Sequence, residues 1–101
     1  MDYLYILYSL ANAKYYVGSS DDPWRRVNEH NNSSRTTFTS KHRPWELAVV
    51  FQVTEGPFSA IYLERYIKRQ KSKRLLNKLI DSDYVPVGDL AQLVRVPHVR
   101  D

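Results

Sequence analysis

Five side chains of this 101-residue chain have the types and spacing to handle a phosphate ester: Tyr5, Tyr16, Arg26, His30 and Glu64. Arg26 and His30 lie four apart in a segment that opens with Asp22 and Pro23, so on a helix they share one face. A guanidinium grips two phosphate oxygens and stays charged, while an imidazole moves a proton near neutral pH. A solvated helix surface is the plainer account of such a pair. Tyr5 and Tyr16 fall in two segments rich in strand formers. With residues 9–12 as a four-residue loop they would sit directly opposite each other, and Gly18 on the same face would leave an open floor for a phosphodiester backbone. Ordinary cross-strand packing explains two tyrosines equally well. Glu64 stands among Ile61, Leu63 and Ile67, where a lone acid is unusual. It suits a divalent cation, since magnesium takes one or two carboxylates and fills its other positions with water and phosphate. Pairing with Lys68 at i+4 carries equal weight.

Charge is distributed in support of a polyanionic partner. Residues 1–80 hold 13 Lys/Arg against 7 Asp/Glu, whereas residues 81–101 hold 2 Arg against 4 Asp. Arg65, Lys68, Arg69, Lys71, Lys73, Arg74 and Lys78 follow one another with no acid until Asp81. With Lys14, Arg35, Lys41 and Arg43 they can form a track for a phosphate backbone. A solvated basic helix is the common alternative.

The elements that must position these groups follow from local pattern. Residues 3–9 and 14–19 read as a β-hairpin. A helix should run from Pro23, capped by Asp22, to about Asn31, where a breaker cluster begins. Residues 32–44 read as a polar loop and residues 45–54 as a third strand. Apolar residues recur at helical spacing over residues 58–70, and Ser72 can cap a short helix reaching Leu79. The expected fold is α+β: a three-stranded, mainly antiparallel sheet flanked by helices, in the order β-β-α-β-α-α. Residues 1–80 form the expected domain. Residues 81–101 are an extension of unassigned role in which Asp89 could cap one helical turn.

Taken together, Tyr3-Leu4-Tyr5, Tyr16-Val17-Gly18, Arg26, His30 and a glutamate on a later helix resemble the GIY-YIG endonuclease superfamily. Within it the chain is most similar to the small stand-alone bacterial subgroup related to SLX1-type structure-specific nucleases. The resemblance covers about residues 2–80. Tyr3 stands in place of the first glycine, and Asn77, thirteen residues after Glu64, loosely matches a later asparagine of the family as an accessory group. The resemblance implies hydrolysis of phosphodiester bonds with one Mg²⁺ or Mn²⁺ held by Glu64. Tyr5 would activate or position the attacking water, with His30, Arg26 and Lys14 supplying the positive field that a phenol needs to act as a base. Arg26 would stabilise the charge developing on phosphorus, and Tyr16 would orient the phosphate or the water. DNA is the expected substrate, with RNA open, in repair, recombination or processing. A domain this small leaves substrate targeting to strand structure or to a protein partner. A catalytically silent nucleic-acid-binding module on the same scaffold is the alternative, and a protein-interaction domain is a more distant one.

Other chemistries are poorly served. The chain has no cysteine, so disulfides, thiolate zinc sites and thiol nucleophiles are excluded within it. His30, His42 and His98 are far apart, no Gly-rich phosphate loop announces a nucleotide cofactor, and no elbow motif offers a serine nucleophile. The first residues lack the pattern of a secretory signal, and no stretch suits a membrane span. The expected setting is cytoplasmic.

Overall fold

The computed structural model describes residues 1–32 and 38–98. β1 (Tyr3–Ser9) and β2 (Lys14–Ser20) form the hairpin. Helix α1 (Pro23–Asn32) and the short helix α2 (Phe38–Lys41) precede β3 (Trp45–Val53). Helices α3 (Ala60–Gln70) and α4 (Lys73–Ile80) follow, then a 3-10 turn (Gly88–Leu90) and β4 (Leu93–Val96). Helix α2 lies inside the stretch expected to be loop throughout. The sheet is antiparallel in the order β2-β1-β3-β4.

The sheet therefore has four strands where three were expected. Leu93 to Val96 pair with Val53 to Val50, and Leu90 and Leu93 are buried in the core. Two polar side chains sew this segment to the rest. The Gln92 amide bonds Thr54 and Phe58 through the Thr54 carbonyl and both backbone groups of Phe58, and it occupies the space where a Cβ on Gly56 would lie. The Arg95 guanidinium stacks on Phe51 and donates to the carbonyls of Leu79, Asp81 and Tyr84, which satisfies the open end of α4. Replacing Arg95 by alanine is expected to cost about 2 kcal/mol, the usual worth of hydrogen bonds to a charged group. A lower urea midpoint with an unchanged slope would register it.

Helices α1 and α4 start at the residues expected to cap them, while α3 starts at Ser59, a cap the expected 58–70 span did not name. The Asp22 carboxylate accepts from the Arg25 amide at 3.0 Å. The Ser59 and Ser72 hydroxyls accept from the amides of Tyr62 and Leu75. Helix α1 is fixed to β3 through Asn31, whose side chain donates to the Trp45 carbonyl and accepts from the Trp45 amide.

Each face of the sheet has its own core. Leu4, Ile6, Val17, Val49 and Phe51 meet Leu63, Ile67 and Leu79 of α3 and α4. On the other face Tyr5, Leu7, Trp45 and Val50 gather with Trp24 and Val27 of α1. Strict alternation along β3 would put Leu47 and Val49 on one face. A bulge at Ala48 prevents this, because Ile6 pairs with Val49 while Leu7 pairs with Leu47. Among the described residues no helix is long and apolar enough to cross a membrane.

Candidate active site

Tyr5 and Tyr16 share a face of the hairpin as expected, but they are not directly opposite. The turn comprises residues 10–13, closed by the Ala13 amide donating to Ser9 with Ala13 in the left-handed region (φ 52°). This shifts the pairing by two, so Tyr5 faces Gly18 and Tyr16 faces Leu7. The shift changes the role of Gly18. A Cβ there would lie 2.5 Å from the Tyr5 hydroxyl and 3.1 Å from the Tyr16 ring. Gly18 is no open floor for a ligand; it is the gap across which the Tyr5 phenol reaches from the inner strand β1 towards the sheet edge.

At that edge the side chains converge. The Tyr5 hydroxyl lies 3.1 Å from His30 Nε2, and the nearby Arg26 guanidinium favours its ionised form. The Tyr16 and His30 rings meet edge to face at 4.9 Å. Helix α1 thus places Arg26 and His30 over the tyrosine pair, one turn apart. Arg26 is further held by Glu29 at 2.7 Å.

Glu64 reaches the same edge from the opposite face of the sheet, because β2 is an outer strand and α3 packs against it. Its carboxylate accepts from the Ser19 hydroxyl at 2.7 Å and from Lys68 Nζ at 2.9 Å, with 19% of the side chain exposed. Lys68 Nζ also lies 5.0 Å from the centre of the Tyr16 ring. Contacts therefore run from Glu64 through Lys68, Tyr16, His30 and Tyr5 to Arg26. The Glu64 charge is felt at Tyr5, where it disfavours ionisation.

Burial governs the titrating pair. Tyr5 is 1% exposed, and desolvation, followed by the proximity of Tyr16, pushes its pKa up to about 12 against a partial correction from Arg26. Desolvation and then the Arg26 charge push His30 down to about 4. The expected positive field at Tyr5 needs correction accordingly. His30 is neutral at pH 7 and contributes no charge. Lys14, at the start of β2 and roughly 13 Å along the strand from Gly18, is not among the charges that move Tyr5. Arg26 alone remains.

A pH dependence follows. An unfolded histidine binds its proton near pH 6.5 but the folded His30 only near 4, so between these values the unfolded chain holds more protons. Stability should be full above about pH 6.5 and fall as pH drops towards 4, by on the order of 2–3 kcal/mol from this group. Denaturant midpoints measured across that window should slope in the parent and lose most of the slope in His30→Gln.

The remaining candidates distribute as follows. Lys68, Lys71 and Lys73 border a groove between β2 and the α3–α4 turn, and exposed Arg74 lies next to them in α4. Lys41 ends α2, while Arg43 donates to the His30 carbonyl at 2.7 Å and so braces α1. Asn77 accepts from the Tyr15 hydroxyl at 3.4 Å, away from Glu64. Arg35 lies outside the described residues. Sequence reasoning missed Ser19 and Glu29. Ser19 could have been found by asking which β2 side chain faces the sheet surface opposite Gly18.

Around one edge strand, β2, thus gather a phenol pair, a guanidinium, a neutral imidazole and a part-exposed carboxylate drawn from β1, β2, α1 and α3, the furniture of a phosphate-handling site. The GIY-YIG catalytic domain matches residues 1–79, and this chain belongs to that family. It is 34% identical over 86 residues to structure-specific endonuclease subunit SLX1 of Cryptococcus neoformans, covering 79% of this chain and 18% of that protein. The corresponding subunit of Phaeosphaeria nodorum is 33% identical over 79 residues, covering 73% of this chain and 21% of that protein. That of Pyrenophora tritici-repentis is 35% identical over 65 residues, covering 59% and 18%. The chain spans about a fifth of the length of these curated relatives.

Proposed function

We propose that this domain is a divalent-metal-dependent endonuclease that hydrolyses phosphodiester bonds in DNA, directed by strand structure more than by base sequence, in DNA repair, recombination or processing. The observation that carries the reading is the meeting of Tyr5, Tyr16, Arg26, His30 and Glu64 around one strand edge, reached from both faces of the sheet. The SLX1 relatives are described as structure-specific endonuclease subunits, which supports both the reaction and a role for protein partners.

The donor set fits one small divalent cation. Glu64 is accessible, is oriented by Ser19, and already has a cationic group at its second oxygen. An exposed i, i+4 ion pair is worth only about 0.3–0.5 kcal/mol, so Lys68 is readily displaced towards a phosphate. Bound at Glu64, Mg²⁺ or Mn²⁺ would neutralise the phosphate and stabilise the departing 3′ oxygen.

The protein groups have separable tasks. Arg26, whose salt bridge among the described residues is an exposed one to Glu29, is placed to grip phosphate oxygens. A phenol with a pKa near 12 is no standing base, but its hydroxyl can relay. As an attacking water gives its proton to the Tyr5 oxygen, the phenol proton passes to His30 Nε2, in the tautomer that leaves this nitrogen bare on an imidazole that burial keeps neutral. Tyr16, wedged between His30 and Lys68, orients the phosphate.

The test is a panel of labelled duplex, nicked, flapped, forked, four-way and single-stranded DNA, with RNA alongside, incubated with the chain with and without Mg²⁺ at low salt. Metal-dependent internal cleavage favouring branched forms is the expected result. Binding without cleavage on every substrate would leave only the silent module.

A further inference from the structure

Beside the candidate active site lies a groove of about 230 Å³ between the edge of β2 and the turn that joins α3 to α4. Its floor is apolar, made by Val17, Ile67 and Leu76. Tyr15 and Tyr16 flank it, and Lys68, Lys71 and Lys73 stand on its rim. Lys71 is in the left-handed region (φ 47°), where the chain leaves α3 and re-enters α4 after a single further residue. That reversal sets Lys71 and Lys73 on one opening. Both are exposed, and among the described residues neither forms an ion pair.

We propose that this groove takes one unpaired nucleotide of the substrate strand next to the scissile phosphate: its base on the apolar floor beside the tyrosines, and its flanking phosphates on the lysines. The proposal rests on nucleic acid being the substrate and adds where, and in what form, the strand is read. Three features select this occupant. The groove is continuous with the catalytic cluster, because Tyr16 and Lys68 belong to both. Its volume is below the roughly 300–1,000 Å³ of pockets that enclose whole drug-sized ligands, which suits one planar ring system. Aromatic walls under a cationic rim match a base with a phosphate on either side, and a base offers its faces only when it is unstacked and unpaired. A strand end, flap or junction presents such a base beside duplex, and intact duplex does not.

Binding measured in EDTA separates this site from the chemistry. The full chain is titrated by fluorescence anisotropy into a hairpin duplex with a short single-stranded overhang, into the blunt hairpin, and into overhang versions made abasic at one position each. One abasic position should weaken binding by about 5- to 50-fold, within the range of base–aromatic stacking, while the others change it little. A double variant, Lys71→Asn with Lys73→Gln, keeps a residue that tolerates left-handed backbone at 71. It should reduce the slope of log K against log salt by about 1.4 on the overhang substrate, two single-strand phosphate contacts' worth. Leu76→Phe, which fills the floor, should abolish the abasic penalty yet keep the parent's salt slope, with thermal melting to verify the fold. Equal affinity for every abasic form in the parent would overturn the proposal, as would an undiminished penalty in folded Leu76→Phe. Cleavage in Mg²⁺ with no abasic effect sinks the groove and spares the endonuclease. An abasic effect with no cleavage does the reverse.

Discussion

Glu64→Gln should lower the single-turnover rate of cleavage in Mg²⁺ by about three decades or more, corresponding to roughly 4 kcal/mol of barrier. Glutamine is the informative replacement. Its side-chain carbonyl can still accept from Ser19, so the packing of α3 on β2 is kept and only the charge is lost. Two consequences follow from that single change. A divalent cation loses its protein anchor, and Lys68 loses its partner on α3. The fold should be nearly unaffected, because the pair is an exposed i, i+4 contact worth only about 0.3–0.5 kcal/mol. Calorimetric titration with Mn²⁺ should lose its binding heat in Glu64→Gln while the melting temperature stays within a few degrees of the parent. Cleavage at the parent rate would remove the carboxylate from the mechanism altogether.

Much of this arrangement is legible in the residues. Asp22, Pro23 and Ser72 mark helix starts by local hydrogen-bond chemistry, and the structure uses them as such. The co-facial tyrosines follow from the period of two along a strand, and the Arg26–His30 pairing from the helical period. What escaped depends on partners far away in the chain. β4 is four residues long, and its pairing with β3 is created by Gln92 and Arg95 closing on groups 11 to 38 residues earlier. The bulge at Ala48 has no local signature, since Leu47-Ala48-Val49-Val50 is apolar throughout. The register of the hairpin hinged on which four residues turn, and a one-residue error in the loop became a two-residue offset between Tyr5 and Tyr16. Protonation was the least legible property. His30 and Tyr5 are ordinary in sequence, and it is burial between α1 and the sheet that makes one a neutral acceptor and the other a phenol held in its protonated form. The same burial replaces the idea of a charged field around Tyr5 with that of a hydroxyl relay.

Arg26→Ala carries the second large effect, a loss of 10²- to 10³-fold in turnover, in line with the ~2.7–4 kcal/mol that one donor to a developing oxyanion contributes. Arg26→Lys should recover only part of it, because an ammonium cannot grip two phosphate oxygens at once. A merely structural role for Arg26 would predict the same loss through unfolding, so the decisive readout is electrostatic. Arg26 holds the His30 pKa down and opposes the rise at Tyr5. Removing its charge should therefore move His30 up from about 4 towards its ordinary value of 6.5 and leave Tyr5 still harder to ionise. Proton-detected titration of the imidazole would follow the first shift directly, and Arg26→Lys, which keeps a cation near, should show less of it. The acid limb of the pH–rate profile should move the same way, since protonated His30 cannot accept from Tyr5. A folded Arg26→Ala protein with full turnover and an unmoved His30 would show that the guanidinium meets neither the phosphate nor the relay.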